Sequence, residues 1–125
     1  MRTFDKSQAR IVMVRDIAVA RWEQYGLGDC MPFDTMWYTV PPGSSSPADC
    51  HPELELSVVV TGSADVEAGG RVHQVDQGSA FLLESEETHV VHNRSLDSPL
   101  LVFSTYWMPR GPHAAVRHDE EALSA

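Results

Sequence analysis

The sequence predicts an all-β fold, a sandwich or a barrel, from three observations. Short apolar or alternating runs recur along the chain with turn signals between them. Almost no stretch keeps a helical period of 3.6 residues. The dipeptide Gly69-Gly70 separates two alternating runs, as a tight hairpin with positive φ angles requires. At 125 residues the chain is long enough for one domain with a real core.

The elements follow from these patterns in chain order. The candidate strands are residues 11–17, 34–40, 51–60, 63–68, 71–75, 80–83, 89–92 and 100–107. Residues 18–26 have a weak claim to a helical turn. Residues 41–47 hold three prolines beside glycine and serines, which predicts an exposed loop. We therefore expect an N-terminal strand and connecting segment over 1–33, a barrel core over 34–107 and a C-terminal tail over 108–125.

The charge of the chain limits its partners. Nine Lys and Arg against 18 Asp and Glu give a formal charge of −9, which repels nucleic acids and anionic membranes. No apolar stretch approaches the ~20 residues that span a bilayer, and the N-terminus lacks a signal-peptide core. Cys30 and Cys50 are too few for a disulfide framework and fit two free thiols, although a bridge between them stays open. We expect a cytoplasmic protein with no nucleic-acid or membrane partner.

The strand that begins near Asp49 has two unlike faces. In an extended strand alternate side chains share a face, so one face carries Asp49, His51, Glu53 and Glu55, and the other Cys50, Leu54, Leu56 and Val58. Buried carboxylates need a cation, hydrogen bonds or water, and a bound metal meets that need most directly. The apolar face outside a barrel needs a second surface, which predicts a homodimer.

A second histidine, His89, lies on the short β-prone run at residues 89–92. Zinc, iron, nickel, copper and manganese accept imidazole nitrogen together with carboxylate oxygen, and neighbouring strands can bring such ligands together.

These two segments resemble the two sequence motifs of the cupin family. The first motif is glycine, five residues, His-x-His, three or four residues, glutamate, six residues and glycine. Gly43, Asp49-Cys50-His51, Glu55 and Gly62 reproduce every spacing, with Asp49 in place of the first histidine. The second motif is glycine, five residues, Pro-x-Gly, two residues, histidine, three residues and asparagine. Its frame is kept by Gly78, Glu84-Ser85-Glu86, His89 and Asn93, with glutamates in place of the proline and the glycine.

The resemblance covers roughly residues 36–107 and implies a single-domain cupin jelly-roll β-barrel, often dimeric, with a metal in its interior. It implies His51, Glu55 and His89 as ligands of one divalent transition metal, zinc, iron, manganese or nickel. The alternative is a polar cluster in a barrel that has lost its metal. Asp49 is a fourth ligand, a general base beside the metal or a solvated residue at the strand entry.

Aromatic residues on two predicted strands are the candidate substrate pocket. Trp37, Phe103 and Tyr106, with Tyr38 and Trp107 nearby, could hold a planar or apolar substrate, or could pack in the core. Alternation prevents all five from pointing inward.

We expect a metal-dependent enzyme that acts on a small organic molecule, with Asp49 and Glu55 as the candidate catalytic carboxylates. The resemblance is to small cupins of natural-product pathways, such as polyketide cyclases, and favours cyclase, isomerase or lyase chemistry. The alternatives are an Fe(II)-dependent dioxygenase, since two histidines and one carboxylate suit that ion, and a non-catalytic cupin that binds a small ligand.

Overall fold

The structure is a computed structural model that describes residues 1–109. Its strands are β1 (Val12–Val14), β2 (Ile17–Arg21), β3 (Asp34–Val40), β4 (Leu54–Thr61), β5 (Ser63–Ala68), β6 (Arg71–Asp76), β7 (Ala80–Leu83), β8 (His89–His92) and β9 (Leu100–Trp107). Two 3-10 helices occupy Lys6–Gln8 and Trp22–Tyr25. Within residues 1–109, no helix has the length and apolar character needed to cross a membrane.

The strands form two antiparallel sheets. The larger has the order β1-β2-β3-β9-β4-β7, and the smaller has the order β6-β5-β8. One hydrophobic cluster joins their inner faces, with Val40, Val59 and Val102 from the larger sheet and Val66 and Val91 from the smaller. The expected all-β jelly-roll class is confirmed, with the strand ladders of the described residues divided between two facing sheets.

Alternation along β4 places its two faces as the sequence predicts. Glu55, Ser57 and Val59 are buried on the inner face. Leu56 lies on the outer face and is 40% exposed. The strand begins at Leu54 rather than near residue 51, because Pro52 has no N–H to donate to a ladder. Asp49 instead forms an isolated bridge with His89 of β8.

Two turns set the remaining boundaries. Gly69 and Gly70 have φ angles of 59° and 75° and connect β5 to β6, which confirms the predicted hairpin. The strand expected over residues 11–17 is divided by a turn at Arg15, whose φ is 52°. Because no glycine marks that turn, the sequence gives no signal for it.

The other predicted segments lie close to their expected positions. The weak helical turn predicted over residues 18–26 is wrong for residues 18–21, which belong to β2, and correct for the 3-10 helix Trp22–Tyr25, which ends at Gly26 with φ 66°. The predicted tail, residues 108–125, lies outside the described residues from position 110 onward.

Candidate metal centre

The chain before β4 is held against β8 by hydrogen bonds, all but one of them between main-chain groups. The Ser46 N–H donates to the Val91 carbonyl at 2.8 Å, and the Val91 N–H donates to Ser46 Oγ at 2.8 Å. Further along, Asp49 and His89 exchange N–H···O bonds of 3.0 and 2.9 Å. This pairing brings the Asp49 side chain beside the imidazole of His89.

The turn after β7 holds His51. The Glu86 N–H donates to the His51 carbonyl at 2.8 Å, and Ser85 Oγ donates to the Pro52 carbonyl at 2.6 Å. Glu86 has a φ of 63°, in the left-handed region that favours glycine. Its position is that of the glycine in the second cupin motif, so the chain keeps the backbone shape of that motif without its residue.

Both histidines are oriented by carbonyl groups. His51 Nδ1 lies 3.0 Å from the Glu53 carbonyl oxygen, and His89 Nδ1 lies 2.9 Å from that of Glu87. A carbonyl oxygen only accepts, so each Nδ1 is the donor, and in the neutral tautomer this leaves the Nε2 lone pair available to a metal ion. The outer hydrogen bond of a metal-binding histidine commonly has this form.

The donor atoms converge. One ligand atom from each of Asp49, His51 and His89 lies within 4.8 Å of the other two. Glu55 lies next to this group, with Oε1 at 3.2 Å from His51 Nε2. Two donors that share an ion at ~2.1 Å are themselves roughly 3 Å apart, so this spacing suits common coordination. All four predicted metal-site residues therefore lie in one region of the fold.

The Glu55 carboxylate is buried and fixed by two serines. Its exposure is 6%, and its Oε2 accepts from Ser57 Oγ at 3.1 Å and Ser104 Oγ at 3.2 Å. The two hydroxyls also lie 2.6 Å from each other. These bonds leave Oε1 directed at the histidines. A metal ion beside this carboxylate would offset the cost of burying it.

Tyr38 completes this buried polar group. Burial, and then the charge of Glu55, raise the pKa of the Tyr38 phenol, while hydrogen bonding to Ser57 and Ser104 acts in the opposite direction. The phenol is therefore neutral at physiological pH and can donate a hydrogen bond beside the carboxylate.

A cavity of about 280 Å³ opens on the site. Asp49, Glu55 and His89 contribute to its lining, together with the loop residues Ser46, Pro47 and Ala48. The opposite wall comes from β1, β2 and β3 and is formed by Val14, Ile17, Val19, Arg21, Met36 and Tyr38. The arrangement gives a small, mostly apolar chamber with the candidate metal ligands Asp49, Glu55 and His89 on one side.

The aromatic residues proposed as a substrate pocket lie elsewhere. Trp37 and Phe103 pack against Trp22, with ring centroids 4.9 and 5.7 Å from it, on the outer face of the large sheet. Tyr106 lines a second, wider cavity of about 990 Å³. None of these three is among the described residues that line the cavity beside Asp49, and their contact with substrate stays a prediction.

Sequence reasoning missed Arg21 and Met36 as lining residues. Met36 shares the inward parity of Tyr38 along β3, so alternation alone could have found it. Arg21 could not be found in this way, because its face follows from where β2 begins. That strand begins after the turn at Arg15, and no glycine in the sequence marks this turn.

Comparison with known proteins agrees with this architecture. The family model described as "Cupin domain" matches residues 36–106, more than half of the chain. A solved protein of Photorhabdus luminescens has a TM-score of 0.73 and 20% identity, over 98% of this chain and 97% of that chain. The polyketide cyclase RemF from Streptomyces resistomycificus has a TM-score of 0.73 and 18% identity, over 90% and 82%.

A predicted oxalate decarboxylase from Thermotoga maritima has a TM-score of 0.72 and 16% identity, over 86% of this chain and all of that chain. At these identities the structural likeness shows the fold and not the reaction. The family model covers more than half of the chain, including both motifs, and the chain therefore belongs to the cupin family.

Proposed function

We propose that this protein is a metal-dependent enzyme that acts on a small organic molecule. The observation that carries the proposal is the pair of imidazoles whose Nδ1 atoms are held by carbonyls, beside the carboxylates of Asp49 and Glu55. Such a set would hold one divalent transition metal.

The donor set fits the metals expected from the sequence. Two imidazole nitrogens with one or two carboxylate oxygens suit zinc, iron, manganese or nickel, whereas calcium and magnesium prefer oxygen alone. When bound, the ion supplies a Lewis acid that polarises a carbonyl or enol oxygen of the substrate.

The two carboxylates of the site have different surroundings. Glu55 is buried and accepts from Ser57 and Ser104 on one oxygen, which suits a rigid ligand. Asp49 is exposed, and its Oδ1 accepts from the Cys50 N–H at 2.8 Å. A carboxylate that reaches solvent can exchange a proton during turnover, so Asp49 is the candidate for proton transfer to or from substrate.

The cavity favours cyclase, isomerase or lyase chemistry. Its apolar wall would shield a folded hydrocarbon body from water, while the polar side holds one oxygen and moves one proton. The likeness to RemF, a polyketide cyclase, agrees with this reaction class at the level of the fold.

A dioxygenase is the second candidate, and the composition of the donor set favours it. Two histidines and one carboxylate leave coordination positions free, as oxygen-activating iron sites require. Oxygen consumption by the iron-loaded protein with substrate separates this candidate from the first.

We also propose that the protein forms a homodimer through the outer face of β4 and β7. Leu56 and Leu82 lie directly opposite each other in the register and are 40% and 49% exposed. Val60, on the same sheet, is 40% exposed. Packing a second copy on this face would remove these apolar side chains from water.

Elemental analysis of protein purified without chelator tests the metal site. We expect about one transition metal per chain, lost in both His51→Ala and His89→Ala because each removes a nitrogen ligand. His73→Ala is the matched control, since His73 is exposed on β6, outside the donor group. A wild-type protein that takes up no metal would contradict the proposal and favour a non-catalytic cupin that binds a small ligand.

A further inference from the structure

Arg21 places a cationic side chain in the lining of the metal-site cavity. Ile17 and Val19 are buried on the inner face of β2, and Arg21, two residues further, has the same parity at the end of the strand. Arg21 is exposed and lines the cavity together with Asp49 and His89. A permanent positive charge therefore shares this chamber with the metal donors.

The Arg21 guanidinium has no acidic partner within residues 1–109. No carboxylate oxygen of those residues lies within 4.0 Å of its nitrogens. Its neighbour is the phenol of Tyr106. Burial, Glu23 and Asp34 raise the pKa of that phenol, and the charge and hydrogen bonding of Arg21 oppose the rise. The phenol oxygen can accept from the guanidinium, and Glu23 and Asp34 act on the same phenol without forming an ion pair with Arg21.

The charges in the cavity favour an anionic ligand. Asp49 and Glu55 are the acidic residues of its lining, and a divalent ion would balance them. Arg21 is the only lysine or arginine among the described lining residues, so it is the permanent cation that this lining offers to an anionic group. The planar guanidinium matches a carboxylate with two parallel hydrogen bonds.

We infer that Arg21 binds a carboxylate group of the substrate, which makes the substrate a small organic acid. The inference rests on the proposed function, since it assigns the metal to one polar end of the ligand and Arg21 to the other. The volume of about 280 Å³ lies just below the usual range of ligand pockets, which suits a small ligand, and Ile17, Val19 and Met36 provide apolar contact for its body.

The sheet register sets how far such a ligand must reach. Arg21 pairs with Met36, Met36 with Ser104, and Ser104 with Ser57, so β2 lies three strand spacings from β4. Three spacings correspond to roughly 14 Å between the backbones, part of which the two inward side chains fill. A ligand that contacts both ends therefore needs two polar groups separated by a short chain.

Titration calorimetry with defined acids tests the inference. Zinc-loaded protein, freed of unbound zinc, is titrated with malonate, succinate, glutarate and adipate, and with the monocarboxylate of equal chain length for each. We expect one dicarboxylate to bind at least ~10-fold more tightly than its monocarboxylate, since a charge-assisted hydrogen bond contributes about that much. Arg21→Gln should abolish this preference. Arg21→Lys keeps the charge but loses the planar guanidinium with its two parallel hydrogen bonds, and should retain part of the preference.

Arg71→Gln is the matched control. Arg71 is an exposed arginine at the start of β6 in the other sheet, so its loss changes the net charge equally and should leave the preference intact. The inference is overturned if wild-type protein shows no preference, or if Arg21→Gln keeps it.

Zinc content, measured on the same samples, separates the two proposals. A wild-type protein that takes up neither zinc nor iron, manganese or nickel overturns the proposed function together with this inference. Normal zinc uptake without a preference for dicarboxylates overturns the assignment of Arg21 alone.

Discussion

The rings of His51 and His89 lie with their centroids 5.1 Å apart at an angle of 74°, and each is held by a carbonyl two residues away. One carbonyl follows its histidine in the chain and the other precedes it, so the two supports come from separate turns. The orientation of each imidazole is therefore set by the main chain before any ion binds, which lowers the cost of ordering the ligands.

Replacing Asp49 tests whether it takes part in metal binding. Asp49→Asn removes the charge and keeps the shape, and we expect the affinity for a divalent ion to fall roughly 10- to 100-fold. Asp49→His restores the imidazole of the family motif and should keep the metal. Competition with a chelator of known affinity gives both values.

Asp29→Asn is the control for this series, because Asp29 is exposed and lies outside the donor group. An affinity unchanged in Asp49→Asn would show that Asp49 is not a metal ligand, which leaves the general base and the solvated residue at the strand entry.

The serine pair that fixes Glu55 should contribute to stability. Ser57 and Ser104 are fully buried and both donate to Glu55 Oε2. Ser104→Ala leaves that oxygen with one donor fewer, so we expect the free energy of unfolding of the metal-free protein to fall by about 1–3 kcal/mol. Chemical denaturation measures the change, with Ser57→Ala and the double variant to complete a cycle.

Ser63→Ala is the matched control, because the Ser63 hydroxyl bonds to exposed Asp76 and its loss should cost less than about 0.5 kcal/mol. Equal losses in Ser63→Ala and Ser104→Ala would contradict a special role for the buried pair.

Local patterns predicted most of the fold. The strands at 34–40, 63–68, 80–83, 89–92 and 100–107 begin and end where the structure has them, because each alternates or is flanked by glycine, proline or polar turns. The turn at Arg15 was missed, since a non-glycine residue with positive φ leaves no signal in the sequence.

The spacing of the two motifs predicted the site residues that belong to the motifs, but not those that lie elsewhere in the chain. Asp49, His51 and His89 converge because the two motifs lie on β8 and the chain that pairs with it. Arg21 reaches the cavity only through the packing of β2 beside β3, a contact distant in sequence that no spacing encodes. Trp37 lies on the opposite face of β3 from Met36 and Tyr38, as strand alternation requires, and packs there against Trp22.

Glycine at position 86 should stabilise the protein. Glu86 has a φ of 63°, which costs an L-residue ~1–2 kcal/mol, whereas glycine adopts it freely. The greater entropy of glycine in the unfolded chain offsets part of the gain, so we expect Glu86→Gly to raise the free energy of unfolding by roughly 0.5–1 kcal/mol. Thermal and chemical denaturation measure it.

Glu84→Gly is the matched control two residues earlier, where φ is not positive. It should lower stability through the same unfolded-state entropy. A Glu86→Gly protein less stable than wild type would mean that the Glu86 side chain makes a contact worth more than the backbone strain.

Leu56→Asp tests the proposed dimer. Leu56 pairs directly with Leu82 on the outer face of β4 and β7, where both side chains are exposed in a single chain. A carboxylate at this position would have to be desolvated in an interface, so we expect a monomer or aggregate from Leu56→Asp and a dimer from wild type, measured by light scattering after gel filtration. Leu96→Asp is the matched control, because Leu96 is 90% exposed in the segment between β8 and β9, off that face, and should stay dimeric. A wild-type monomer would contradict the proposed dimer. A Leu56→Asp protein that remains a dimer would contradict the proposed interface, since an interface built on Leu56 cannot accept a buried charge without a partner.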